Sequence, residues 1–105
     1  MHPLIEQHRE EIAGLCRRFG VRRLEVFGSA ARGEDFDPAT SDADFLVSFD
    51  EATDRSYWKR VTDLTEALQG LLGRPVDLVE RGAVESSRNY IRKRSILSDA
   101  QGVYG

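Results

Sequence analysis

The sequence predicts a small α/β fold, because segments with strand character alternate with helical ones along its 105 residues. Apolar runs containing β-branched and aromatic residues predict strands at 21–27, 42–49 and 76–79. Spacings of three and four between apolar residues predict helices before the first strand and between the last two. The length fits one domain spanning residues 1–105, with no room for a second core.

Composition excludes several classes of protein. Hydrophobic residues make up 40% and charged residues 31%, the balance of a soluble globular domain. The net charge of −3 argues against a dedicated nucleic-acid binder. No apolar run approaches the roughly 20 residues that span a bilayer, and the first residues lack a secretory pattern. We therefore expect a cytoplasmic protein that binds neither membranes nor nucleic acid directly.

The first predicted helix covers residues 3–19, with Pro3 in its first turn and Gly20 as its stop. Cys16 lies on the apolar stripe of this helix, which favours a small core residue over a reactive thiol. As the single cysteine it excludes an intramolecular disulfide.

A second helix is predicted to run from about Trp58 to Leu72 and to end near Gly73, with Thr53 or Asp54 as its cap. We interpret Trp58 as a core or interface anchor rather than as a platform for base stacking.

The end of the chain gives weaker signals. A turn is predicted at Arg81-Gly82, then a last helix opened by Ser86 or Ser87, and a short edge segment at 103–105. The last helix is basic, which fits either a solvated face or a contact with a partner or with nucleotide phosphates; its basic residues are Arg88, Arg92, Lys93 and Arg94.

A Gly-Ser pair stands where the first strand turns into a short helical segment. Backbone N–H groups at such a turn, together with a hydroxyl, offer hydrogen bonds to an anion. We expect Gly28 to allow close approach of the backbone, Ser29 to hold a triphosphate and Arg32 to contact phosphate. A loop is predicted at 34–41.

Three aspartates lie in or beside apolar strands. Asp42 and Asp44 are two residues apart and project from the same strand face, with no basic residue beside them. If the strand carrying Asp77 pairs with theirs, all three carboxylates converge. Such a triad can hold two Mg²⁺ ions, which prefer oxygen ligands and align a nucleoside triphosphate. Asp77 would then ligate the ion nearest the attacking hydroxyl and help accept its proton.

Three motifs together resemble those of the minimal nucleotidyltransferases, within the polymerase-beta-like nucleotidyltransferase superfamily. They are Gly-Ser-Ala-Ala-Arg-Gly at 28–33, Ser-Asp-Ala-Asp-Phe-Leu-Val at 41–47 and Val-Asp-Leu-Val at 76–79. The resemblance implies a small mixed β-sheet with helices packed on it and a Mg²⁺–nucleotide site at one edge.

The same resemblance implies a function. Small members of this family commonly serve as antitoxins of HEPN-domain ribonuclease toxins, and some transfer AMP from ATP to a toxin tyrosine. Gly28 and Ser29 match the nucleotide motif, Asp42 and Asp44 the metal pair, and Asp77 the third carboxylate. We therefore expect an active Mg²⁺-dependent adenylyltransferase that associates with a HEPN toxin and can form a hetero-oligomer with it.

Two other functions fit the same residues. One is an antitoxin that neutralises its partner by stoichiometric binding without catalysis. The other is a nucleotidyltransferase acting on a small molecule, such as an antibiotic-modifying enzyme, whose pocket a dimer or partner would have to complete.

Overall fold

The fold is built on a four-stranded mixed sheet. The computed structural model describes residues 2–32, 42–49 and 57–105. The spatial order is β3-β2-β1-β4, in which β1 is antiparallel to both of its neighbours and β2 is parallel to β3. This confirms the α/β class and the mixed sheet. The strands are β1 (Val21–Phe27), β2 (Ala43–Phe49), β3 (Val76–Glu80) and β4 (Gln101–Tyr104).

Helices cover both faces of this sheet. No helix in the described ranges is long and apolar enough to cross a membrane. The helices are α1 (Pro3–Gln7), α2 (Arg9–Arg18), α3 (Ser29–Arg32), α4 (Tyr57–Leu72), α5 (Arg81–Glu85) and α6 (Tyr90–Asp99).

The continuous helix predicted at 3–19 is two helices, α1 and α2, separated at His8. His8 leaves the helical conformation (φ −104°, ψ 13°), and its Nδ1 lies 2.8 Å from the Leu4 carbonyl oxygen. The apolar spacing continues across this break, which is why periodicity alone does not reveal it. The predicted stop is confirmed, since Gly20 has a φ of +69°.

The larger core lies between one face of the sheet and helices α1, α2 and α4. Cys16 is fully buried in it, as predicted, and burial raises the pKa of its thiol to about 12. Alternate residues of β1 and β2 face this core, as strand geometry requires. Its fully buried members include Ile5, Ile12, Leu24, Val26, Phe45, Leu64 and Leu68.

A smaller apolar cluster covers the opposite face, where Phe27 and Leu46 of the sheet meet Val84 of α5 and Ile96 of α6. Asp44 lies between Phe45 and Ala43, which face the larger core, so its side chain belongs to the α5–α6 face. This face carries the candidate site.

Two further local predictions need correction. Arg81 and Gly82 begin helix α5 instead of forming a turn. The cap of α6 is Asn89, whose Oδ1 accepts a hydrogen bond from the Arg92 N–H at 3.1 Å, rather than Ser86 or Ser87.

Trp58, expected as a core or interface anchor, is 75% exposed, so it does not lie in the core and its expected interface role stays a prediction. The predicted caps Thr53 and Asp54 and the predicted loop at 34–41 lie outside the described residues. The edge segment at the end of the chain is confirmed as β4.

Candidate functional site

Two of the predicted aspartates lie side by side in the sheet. In the strand register Phe27 is opposite Asp44, and Asp44 is opposite Asp77. Directly paired residues project from the same face of a sheet, so the two carboxylates are neighbours on the α5–α6 face. The register begins where the Ala43 N–H donates to the Pro75 carbonyl at 3.0 Å. The strand pairing that the triad requires is therefore present.

The electrostatics of Asp44 reflect this crowding. The pKa of Asp44 is raised from 3.8 to about 6, first by burial and then by the negative charges of Asp77 and Asp42. Asp42 directly precedes β2, and both Asp42 and Asp77 are exposed. Three carboxylates that repel one another at the end of adjacent strands favour a bound cation.

These residues fit a magnesium ion by their chemistry, since carboxylate oxygens are the ligands that this hard cation prefers. Their side chains do not form a closed ligand shell, because no group of three His, Cys, Asp or Glu that could hold a metal is assembled within the described residues. Asp42 and Asp77 are exposed and can change rotamer. The backbone register thus brings Asp44 and Asp77 together, while closure of the shell would need side-chain rotation.

Gly28 directly follows β1 and lies against the Asp44 carboxylate. It has a φ of +71°, and a Cβ atom at this position would lie 2.8 Å from Asp44 Oδ2. The site therefore needs glycine for both its conformation and its lack of a side chain. The predicted role of Gly28, close approach of the backbone, is consistent with this geometry.

Helix α3 follows directly and is held from several sides. Ala30 and Ala31 are fully buried in the larger core. The Ala30 carbonyl accepts from the His2 N–H at 2.8 Å, and the Ala31 carbonyl accepts from the Gln101 side chain at 3.1 Å. Ser29 and Arg32 are the first and last residues of this anchored turn, but their side chains lie outside the described part of the chain.

A buried ion pair on the same face was missed by sequence reasoning. Glu25 of β1 is 4% exposed, and its carboxylate accepts a hydrogen bond from the guanidinium of Arg81 at the start of α5. Arg81 also donates to Glu85 at 2.8 Å, and Arg23 lies 3.4 Å from Glu25. The sequence does contain a signal for this ion pair, namely a charged residue between Leu24 and Val26, because an unpaired carboxylate in an apolar strand is costly.

Comparison with known proteins identifies the family. Residues 8–101 match the family described as the nucleotidyltransferase domain. The chain belongs to this family. The protein adenylyltransferase MntA of Thermococcus cleftensis is 42% identical over 79% of this chain and 76% of its own length. A protein of Methanocaldococcus jannaschii that is provisionally named a protein adenylyltransferase is 31% identical over 94% of this chain and 97% of its own length.

Solved structures agree with this assignment. A structure provisionally described as a minimal nucleotidyltransferase superposes with a TM-score of 0.71 at 34% identity, covering 96% of this chain and 95% of that one. At 18% identity, a chain from the complex of a tri-AMPylated Shewanella oneidensis HEPN toxin with MNT antitoxin shares the fold, with a TM-score of 0.62 over 96% of this chain and 72% of that one. The chain is thus a minimal nucleotidyltransferase, and the predicted enzyme class is confirmed.

Proposed function

We propose that this nucleotidyltransferase is an antitoxin that transfers AMP from ATP to a tyrosine of a cognate HEPN toxin, in a reaction that requires Mg²⁺. The observation that carries the proposal is the pairing of Asp44 with Asp77 beside Gly28, at the strand-to-helix turn. This arrangement combines a backbone that a phosphate can approach with carboxylates that can hold metal ions.

The acceptor is inferred from the relatives. The 42% identical relative from Thermococcus cleftensis is named a protein adenylyltransferase. Two structures that share the fold are a toxin–antitoxin with AMP-PNP and the complex containing a tri-AMPylated HEPN toxin. A protein acceptor of the HEPN class is consistent with all three.

Each candidate residue has a role in this reaction. Asp42 and Asp44 would hold Mg²⁺ together with the substrate phosphates, and Asp77 would supply the third carboxylate. The bound ions would neutralise charge on the triphosphate. The turn at Gly28 would admit the triphosphate to the backbone N–H groups of α3, with Ser29 and Arg32 contacting phosphate.

The chemical step is a displacement at the α-phosphorus of ATP. The tyrosine oxygen forms a bond to this phosphorus as the bond to the pyrophosphate oxygen breaks, so AMP stays on the toxin and pyrophosphate leaves. Asp77 accepts the proton that the tyrosine hydroxyl loses. Asp77 suits this role because it is exposed and lies beside Asp44.

The test needs a cognate HEPN-domain protein, to be sought among the products of the genes beside the gene for this chain. Incubation with the full chain, ATP and Mg²⁺ should add AMP to this protein, and peptide mapping should place the AMP on a tyrosine. EDTA should prevent the transfer. Asp42→Asn with Asp44→Asn should abolish it, because both proposed ligands of the first ion lose their charge.

Glu10→Gln with Glu11→Gln is the matched control. It removes two exposed carboxylates from α2, which packs against the opposite face of the sheet, and should leave transfer unchanged. Transfer by the aspartate double variant would reject the proposed site, and absence of transfer by the unaltered chain would reject the proposed reaction. Full neutralisation of the toxin in cells by the aspartate variant would instead favour stoichiometric binding.

A further inference from the structure

We infer that the outer flank of α6 is the docking surface for the acceptor protein, and that it binds an acidic region of that protein. The outer flank is the strip formed by Tyr90, Ile91, Lys93 and Arg94, which line the same surface depression along α6. The inference rests on the proposed function, in which the acceptor is a protein, and it adds where that protein binds.

Large apolar side chains lie uncovered on this flank. Tyr90 is 78% exposed and Ile91 is 84% exposed. An open surface depression of about 850 Å³ lies along the helix, lined by residues of α6 between Tyr90 and Ser98. Ile96 is the buried residue of α6, and Leu97 packs in the same cluster. Tyr90 and Ile91 therefore face away from the domain.

The flank also lies in a basic segment of an otherwise acidic chain. Between residues 86 and 98 there are four basic residues and no acidic one, although the net charge of the whole chain is −3. None of the four basic residues forms an ion pair with any residue that the structure describes. Unpaired cationic side chains around exposed apolar groups complement an acidic surface with an apolar centre.

The position of α6 connects this flank to the candidate site. On its inner side, Ile96 packs in one cluster with Phe27 and Leu46 of the sheet. Phe27 is the cross-strand partner of Asp44, so α6 covers the same sheet face that carries the aspartates. A protein bound to α6 would thus be held on the side of the sheet where transfer takes place.

A protein fits this surface better than a nucleic acid. Exposed Ile91 offers nothing to a phosphate backbone, and nucleic-acid binders normally show a basic excess over the whole domain. Tyrosine and arginine, by contrast, are the residues that contribute most to protein–protein binding energy. The combination of Tyr90, Ile91 and Arg94 therefore favours a protein partner.

The test is charge reversal of the flank, read by calorimetric binding to the cognate HEPN-domain protein, without ATP. Lys93→Glu with Arg94→Glu should weaken the affinity at least about tenfold, and Ile91→Ser should weaken it by a similar factor. Arg17→Glu with Arg18→Glu makes the same change in net charge on α2 and should leave the affinity unchanged. Thermal unfolding of each variant confirms that it is folded.

The outcomes separate this inference from the proposed function. If the unaltered chain binds the protein through α6 but transfers no AMP, the docking surface stands and the proposed reaction fails. If AMP is transferred and the α6 reversal binds as tightly as the unaltered chain, the docking surface is wrong and the reaction stands. An α6 reversal that only raises the KM for ATP, or that only weakens binding to a single-stranded RNA oligonucleotide, would also overturn it.

Discussion

At the scale of single residues, Gly28 and Asp44 constrain each other. Gly28 needs a positive φ and leaves space for the Asp44 carboxylate, whereas Gly73 has the same conformation (φ +69°) with nothing within 4 Å of an added Cβ. A left-handed backbone costs a residue with a side chain about 1–2 kcal/mol. The two glycines therefore separate the effect of conformation from the effect of contact.

Gly28→Ala and Gly73→Ala should both lower the free energy of unfolding by about 1–2 kcal/mol for this conformational reason. Gly28→Ala should lose more of the free energy of unfolding than Gly73→Ala, because its Cβ would displace the Asp44 carboxylate. Of the two variants, only Gly28→Ala should lose AMP transfer. Denaturant unfolding and a transfer assay on both variants measure the two effects. Equal activity in the two variants would show that the contact with Asp44 is unimportant.

The sequence was sufficient to nominate Asp42, Asp44 and Asp77, because a carboxylate in an apolar strand requires a partner and no basic neighbour was available. Glu25 also lies in an apolar strand and requires a partner, and Arg23 is a basic neighbour two residues away. Its hydrogen-bond partner Arg81 is 56 positions away, and no local pattern shows that strand β1 and helix α5 meet. Long-range pairing of this kind follows from the fold and not from spacing.

At the scale of elements, the Glu25–Arg81 pair joins the central strand β1 to helix α5. The Glu25 side chain is 5% exposed and that of Arg81 is 25% exposed. Loss of Glu25 and loss of Arg81 should therefore destabilise the fold by different amounts. Removal of Arg81 leaves a buried carboxylate with Arg23 as its remaining ion-pair partner among the described residues, whereas removal of Glu25 leaves Arg81 bonded to Glu85 and partly in water.

Arg81→Ala should consequently destabilise the fold by about 3 kcal/mol, because it strands a buried charge. Glu25→Gln should cost less, and Glu25→Leu combined with Arg81→Met should recover most of the loss, since apolar residues can replace a buried ion pair. Unfolding in urea gives all three values. A double variant less stable than Arg81→Ala would contradict this account.

Helix and strand positions were predictable where periodicity was strong, as in β1, β2 and α4. The errors have local causes. Helix α5 contains five residues, fewer than two turns, and too few to show a helical period. Trp58 was expected in the core or at an interface, and its exposure shows that size and apolar character do not decide on which side of a helix a residue lies.

At the scale of the whole molecule, the raised pKa of Asp44 makes stability depend on pH. Its folded-state value of about 6 exceeds its ordinary value of 3.8, so the folded chain binds more protons than the unfolded chain between these limits. Stability from this group therefore falls as the pH rises from about 4 to about 6 and is constant above that range.

Asp44→Asn cannot titrate, so its stability relative to the unaltered chain should rise across the same interval. Urea unfolding at several pH values in EDTA measures this difference. Thr62→Ala on α4, which changes no titratable group, is the control and should follow the pH dependence of the unaltered chain. Parallel curves for Asp44→Asn and the unaltered chain would show that the Asp44 carboxyl titrates normally.

The sheet order has a consequence for motion around the site. Asp44 lies on β2, which is held between two strands, whereas Asp77 lies on β3, which pairs only with β2 among the described residues. Strands held by one ladder open locally more readily than central ones, and their amide hydrogens exchange faster with solvent. Asp77, the carboxylate proposed to accept the proton of the tyrosine hydroxyl, is therefore carried by a strand that opens more easily than β2. Slower amide exchange in β3 after partner binding would report that the partner stabilises this strand.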